Sequence, residues 1–167
     1  DLMLKPDHYI TAEEIERVRG LAPRIKAMIA ELDSYGLPAT VVHSDFHRWN
    51  MAVPGDRVIF FDWTDASVGH PFLDVAFFFT AASRHVFPEE PETVDRLREV
   101  YLQELCSFAP IETLRKALSL GEAIGRVHQA INYRHLLRSI EPAERWTLDY
   151  LGSFVKNLLT QLEGTGD

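Results

Sequence analysis

Val42-His43-Ser44-Asp45-Phe46-His47-Arg48-Trp49-Asn50, followed after a short interval by Phe60-Phe61-Asp62-Trp63, is the stretch that decides how the rest of the chain is read. Polar residues punctuate runs that are otherwise apolar. A carboxylate in the loop after a buried strand is costly unless it has a partner or a task, so Asp45 and Asp62 demand an explanation. The β-branched run Thr40-Val41-Val42 predicts a short buried strand over Ala39–His43. Met51–Val53 and Val58–Phe61 are apolar, and Pro54-Gly55-Asp56-Arg57 between them has turn composition, which predicts a small hairpin. That hairpin returns Asp62, 17 residues beyond Asp45, to the neighbourhood of Asp45 and Asn50.

Working outward, the flanks are helical. Upstream, Thr11 and Glu14 have capping-box spacing, and Ile15, Val18, Ala22, Ile25, Ile29 and Leu32 recur at helical intervals. Gly36 and Pro38 stop that helix. Downstream, Pro71–Ala82 is apolar on every side, which suits a helix buried all round. Val94, Leu97, Tyr101 and Leu105 mark a further helix, in which Cys106 is expected to be an inert buried thiol. Leu114 to Ile131 continue helically towards Ile140, with Gly121 and Gly125 placed to allow close helix approach. Pro142 suits a first helical position, and Trp146, Tyr150, Phe154, Leu158 and Leu162 form the stripe of a last helix. The expected fold is α+β, mostly helical, one domain over residues 1–167.

Composition narrows the function classes. A chain of 167 residues with 46% hydrophobic content can bury a core without staples. Seventeen Lys and Arg against 25 Asp and Glu leave a net charge of −8. No basic cluster is present, which argues against nucleic acid as a partner. The longest apolar run, about Val75–Phe79, is too short to span a membrane. The single cysteine and the absence of a basic-then-apolar leader in Asp1–Thr11 point to the cytoplasm.

His43-Ser44-Asp45 through Asn50 has the H-x-D-x-x-x-x-N spacing of a kinase catalytic loop, and Phe61-Asp62 places an acid at the end of an apolar strand, where phosphoryl transfer needs its metal carboxylate. With Gly69-His70-Pro71-Phe72-Leu73-Asp74-Val75-Ala76, these motifs resemble the aminoglycoside phosphotransferase and choline kinase superfamily. The resemblance implies a C-terminal lobe of a protein-kinase-like fold. It implies Asp45 as catalytic base, Asn50 and Asp62 as magnesium ligands, and ATP as phosphoryl donor. His43 and Asp74 would support the catalytic loop, and His47 would touch the phosphate or substrate. The acceptor would be a small-molecule hydroxyl, in a pocket built by the helices after Phe87. The negative net charge suits a cationic one such as an aminoglycoside or an amino alcohol. The family commonly has Gly where Ser44 stands, often an acid where Thr64 stands, and often Asp where His70 stands.

A nucleotide lobe with a strand-borne lysine and a phosphate-covering loop is not found. No glycine-rich phosphate motif occurs, and only Lys5 and Lys26 precede the catalytic loop, Lys26 within the first helix. The chain is therefore expected to be the C-terminal lobe alone, inactive by itself, with an apolar docking surface near Phe46, Trp49 and the hairpin. Two other readings stand beside this one. His43, Asp45 and His47 alternate, so on an extended strand they would share a face and could bind zinc for hydrolysis, with Asp62, His70 and Asp74 completing the site. Alternatively the lobe is a non-catalytic, kinase-like binding module.

Overall fold

The computed structural model describes residues 10–139 and 150–164. Helix α1 runs over Ala12–Ser34 and opens on the predicted capping box, with Thr11 Oγ1 accepting from the Glu14 amide and Glu14 accepting from the Thr11 amide. Its apolar stripe differs from the predicted one at one point. Ile29 is 47% exposed, and Met28 takes the place against the core instead.

Four short strands follow. β1 (Thr40–Val42) pairs antiparallel with β4 (Ser67–Gly69), matching Thr40 to Gly69 and Val42 to Ser67. β2 (Met51–Ala52) pairs antiparallel with β3 (Ile59–Phe60), the predicted hairpin, and Gly55 supplies the left-handed φ of 69° that its turn requires. The strand over β1 was expected to be buried, yet only Val42 is. Thr40 and Val41 lie open, because a two-stranded ribbon has no second layer over its outer face. β4 was not anticipated, since Ala66-Ser67-Val68-Gly69 is too short and too mixed to register as a strand.

The rest is helix. α2 covers Phe72–Ala81 and passes without a break into a π-helical turn over Ala82–Val86, closed by the Phe87 amide on the Ala82 carbonyl at 2.8 Å. α3 (Pro91–Glu104), α4 (Ile111–Ser139) and α5 (Tyr150–Glu163) complete the chain, while Lys5, Ile140, Pro142 and Trp146 lie outside the described residues. Cys106 sits in the turn after α3 and is exposed, not buried as its helical context suggested.

α2 is the hub. Phe72, Val75 and Phe79 are buried against Leu114, Ala117, Leu118 and Ile124 of α4, Val94 and Leu102 of α3, and Leu32 of α1. Burying each of those phenylalanines is worth about 1.5–3 kcal/mol. The close approach depends on two glycines. A Cβ at Gly121 would stand 2.3 Å from Phe72 Cβ, and one at Gly125 would stand 2.6 Å from Ala76 Cβ. The α2–α4 packing thereby fixes the first turn of α2, and Asp74 with it, beneath the loop that leaves β1.

Candidate active site

The loop after β1 is held from below by a single side chain. Asp74, in the first turn of α2, accepts the His43 amide on Oδ2 and the Ser44 amide on Oδ1, each at 2.6 Å. Burial pushes the Asp74 carboxyl above the usual carboxylate range, while the two backbone donors pull it back down. Both donors are charge-assisted while Asp74 is ionised, about 1.5–3 kcal/mol each. The sequence-based expectation for Asp74 was this bracing contact.

His43 is packed as scaffold. Its ring is 2% exposed and lies 4.6 Å from that of Trp63. The Asp45 amide donates to Nδ1 at 3.4 Å, so Nε2 carries the proton and donates to the Phe61 carbonyl at 2.9 Å. Both ring nitrogens are thereby spent. Ser44 then takes a left-handed φ of 69° that breaks the strand alternation, and although His47 contacts Asp45, both His43 ring nitrogens are engaged elsewhere. Among the described residues no group of three or more His, Cys, Asp and Glu is arranged to hold a metal ion. The zinc-type arrangement fails on this geometry.

Ser44 holds a positive φ, the conformation in which glycine is least strained. Here the hydroxyl compensates. Its Oγ lies 3.1 Å from His128 Nε2 and 3.4 Å from Ser67 Oγ. His128, on α4, accepts from the side-chain Nδ2 of Asn132 on the same Nε2 at 3.1 Å, and burial lowers its pKa. Sequence reading did not single out His128, because its partners are 84 residues away on the loop and four residues on along its own helix.

Asp45 is pinned through one oxygen. Asn50 Nδ2 donates to its carbonyl and to its Oδ2, both at 3.0 Å, and His47 Nε2 lies 3.2 Å from the same Oδ2. His47 Nδ1 accepts the Trp49 amide, so Nε2 is the protonated nitrogen and donates to Asp45. Asp45 Oδ1 takes no hydrogen bond among the described residues. Asn50 is buried, and its use of Nδ2 on Asp45 leaves its own Oδ1 as an unengaged hard donor.

The hairpin brings the second acid to this place. The Phe61 amide donates to the Asn50 carbonyl at 3.1 Å, so Asp62 follows directly on the residue bonded to Asn50. Asp62 is exposed, has a φ of 61°, and accepts from Thr64 Oγ1 at 2.9 Å. A non-glycine residue held in this region marks a locally over-determined backbone. Asn50 Oδ1 and the Asp62 carboxylate are oxygen donors of the kind that would suit magnesium. His70 caps α2 instead: its Nδ1 accepts the Phe72 amide at 3.2 Å, and burial lowers its pKa.

Beside Asp45 opens a cavity of about 820 Å³. Its walls come from α2 (Phe77, Phe78), from the π turn (Arg84, His85), and from α4 (Asn132, Tyr133). Helices after Phe87 were expected to build an acceptor pocket; this cavity takes walls from α3, α4 and α5, which follow Phe87, and equally from α2 and the π turn, which precede it. The hairpin exposes an apolar surface, with Val53 68% and Val58 55% exposed, and the neighbouring Trp49, 73% exposed, also lines the cavity. Among the described residues no helix is long and apolar enough to cross a membrane.

A family model described as the phosphotransferase enzyme family matches residues 3–116, a span that contains the whole loop, the hairpin and α2. No curated protein and no solved structure matches the chain.

Proposed function

The chain belongs to the phosphotransferase enzyme family, and we propose from that premise that it serves the ATP-dependent transfer of a γ-phosphoryl group to a hydroxyl of a small molecule. The observation that carries this reading is the state of Asp45: Oδ2 is fixed by Asn50 and His47, while Oδ1 is unengaged in a carboxylate that lines the cavity. A general base needs that combination of fixed orientation and a free oxygen. In the reaction the acceptor oxygen bonds to the γ-phosphorus, and the bond from that phosphorus to the β–γ bridging oxygen breaks. ADP leaves with the bridging oxygen, and the hydroxyl proton passes to Asp45.

Asn50 and Asp62 would hold magnesium, which when bound offsets the charge on the nucleotide's phosphate oxygens. His47 orients Asp45 through Oδ2 and also lines the cavity. Asp74 and His43 keep the loop in register. The residues that grip the phosphates are a separate matter, since none of the described strands carries a lysine. We assign that grip to a nucleotide lobe outside this chain, seated on the apolar hairpin surface. The test is transfer of label from γ-labelled ATP to a panel of small hydroxyl compounds by the full-length protein. Magnesium-dependent labelling of an acceptor supports the reading, and its absence across the panel with a folded protein overturns it.

A further inference from the structure

The cavity beside Asp45 has a character that the net charge of the chain would not suggest. Phe77, Phe78, Phe87 and Leu97 give it an apolar body. Among the described residues two carboxylates line it: Asp45, whose Oδ2 is already engaged, and Asp65, three residues past the metal-side acid Asp62. Among the described residues a polyammonium compound would find no cluster of acids there.

The cations are placed differently. The π turn aims its short segment at the cavity, so Arg84 and His85 both line it, and Arg48 lines it from the loop. Arg84 makes no ion pair or hydrogen bond among the described residues. Arg48 lies over the Trp49 ring at 4.7 Å and likewise has no carboxylate partner. Behind the π turn stands Arg126 of α4, whose NH2 donates to Thr80 Oγ1 at 3.0 Å while its Nε is buried without a partner. Arg126 is close enough to Arg84 for the two charges to repel, and burial together with that repulsion lowers its pKa. Glu122 offsets part of this repulsion at Arg126, whereas Arg84 has no carboxylate partner among the described residues, so an anion at Arg84 would be favourable. π-helical turns inside α-helices recur at functional sites, and this one carries the exposed member of the pair.

We propose that the acceptor taken by this cavity is an amphipathic hydroxyl compound with an apolar body and a single anionic group, a carboxylate or a phosphate ester, which seats at Arg84. The inference rests on the phosphotransfer reading only in naming the compound an acceptor; the binding claim stands on the cavity alone.

The test is titration calorimetry of the chain, without nucleotide or metal, against four probes that share one body. These are ω-hydroxydecanoate, ω-hydroxydecyl phosphate, decanediol and ω-hydroxydecyltrimethylammonium. Both anions are expected to bind roughly tenfold or more tightly than the diol, as a charge-assisted contact would give, and the ammonium more weakly than the diol. The two anions compared with each other tell carboxylate from phosphate ester. Arg84→Ala should bring the anion-to-diol ratio close to one, and Arg84→Lys should keep part of it. Ammonium binding equal to or tighter than that of the anions, a ratio unmoved by Arg84→Ala, or no binding by any probe overturns the proposal. Anion preference without label transfer from ATP would count against phosphotransfer alone. Labelling of a polycationic acceptor would keep phosphotransfer and reject this inference.

Discussion

Replacing Asp74 by alanine removes the acceptor of two backbone amides at once, those of His43 and Ser44, each held at 2.6 Å. A buried donor left without a partner costs about 1–3 kcal/mol. Two of them set an upper range of roughly 2–6 kcal/mol. Part of this is offset, because burial already strains the ionised carboxyl and its removal relieves that strain. The expected net loss is about 2–4 kcal/mol, which for a domain of this size lowers the melting temperature by roughly 5–15 °C. Asp74→Asn keeps one accepting oxygen but turns an amide N–H toward the second donor, so it should fall between wild type and Asp74→Ala. Urea unfolding followed by circular dichroism measures all three. An unchanged midpoint for Asp74→Ala would refute the bracing argument and return Asp74 to the metal or the substrate.

Acidification should destabilise the fold. His70 and His128 are both lowered by burial, so the unfolded chain takes up protons near its ordinary histidine value of about 6.5 while the native state resists. The stability they contribute is complete above that value and is lost as the pH falls through the lowered native values. Asp74, raised by burial, acts in the opposite sense and gains stability as the pH falls towards its own titration. Melting curves between about pH 7.5 and about pH 5 should slope downward with acid, less steeply for His128→Gln. Gly121→Ala should destabilise by about 1–3 kcal/mol, because its Cβ would meet Phe72 Cβ at 2.3 Å. Gly20→Ala, with nothing within 4 Å, should stabilise α1 by about 0.5–1 kcal/mol, so thermal melts of opposite sign check the α2–α4 packing. The 167-residue chain by itself should bind magnesium-ATP weakly, and micromolar affinity by calorimetry would contradict the assignment of the phosphate grip to another lobe.

Where local rules act, the sequence was legible. The Thr11–Glu14 capping box, the turn at Pro54–Arg57 and the helical period of α3 and α4 are decided by neighbours a few residues apart. The loop from His43 to Asn50 was legible for another reason: an acid and an amide at fixed spacing after a β-branched strand are hard to explain otherwise. What escaped depends on long-range packing. His128 meets Ser44 only because α4 crosses beneath the loop. β4 exists only because β1 lies beside it. The exposure of Val41 (61%) and Val68 (78%) cannot be told from burial by hydrophobicity alone, since apolar strands look the same whether or not a second layer covers them. The net charge suits a cationic acceptor, whereas the anionic one proposed above rests on the cations that line the cavity, a local property that net charge does not carry.

The central claim is that Asp45 and Asp62 have different tasks in one phosphoryl transfer, and label transfer from ATP measured against magnesium concentration tests it most directly. With wild type, Asp45→Asn and Asp62→Asn compared in the full-length protein, Asp45→Asn should keep the wild-type magnesium dependence while turnover falls by roughly a hundredfold or more. Asp62→Asn should shift the magnesium requirement upward as well as slow the reaction, because the nucleotide's phosphates lose a ligand of their bridging ion. Identical magnesium curves for the two variants, or an Asp45→Asn enzyme as fast as wild type, would contradict the account.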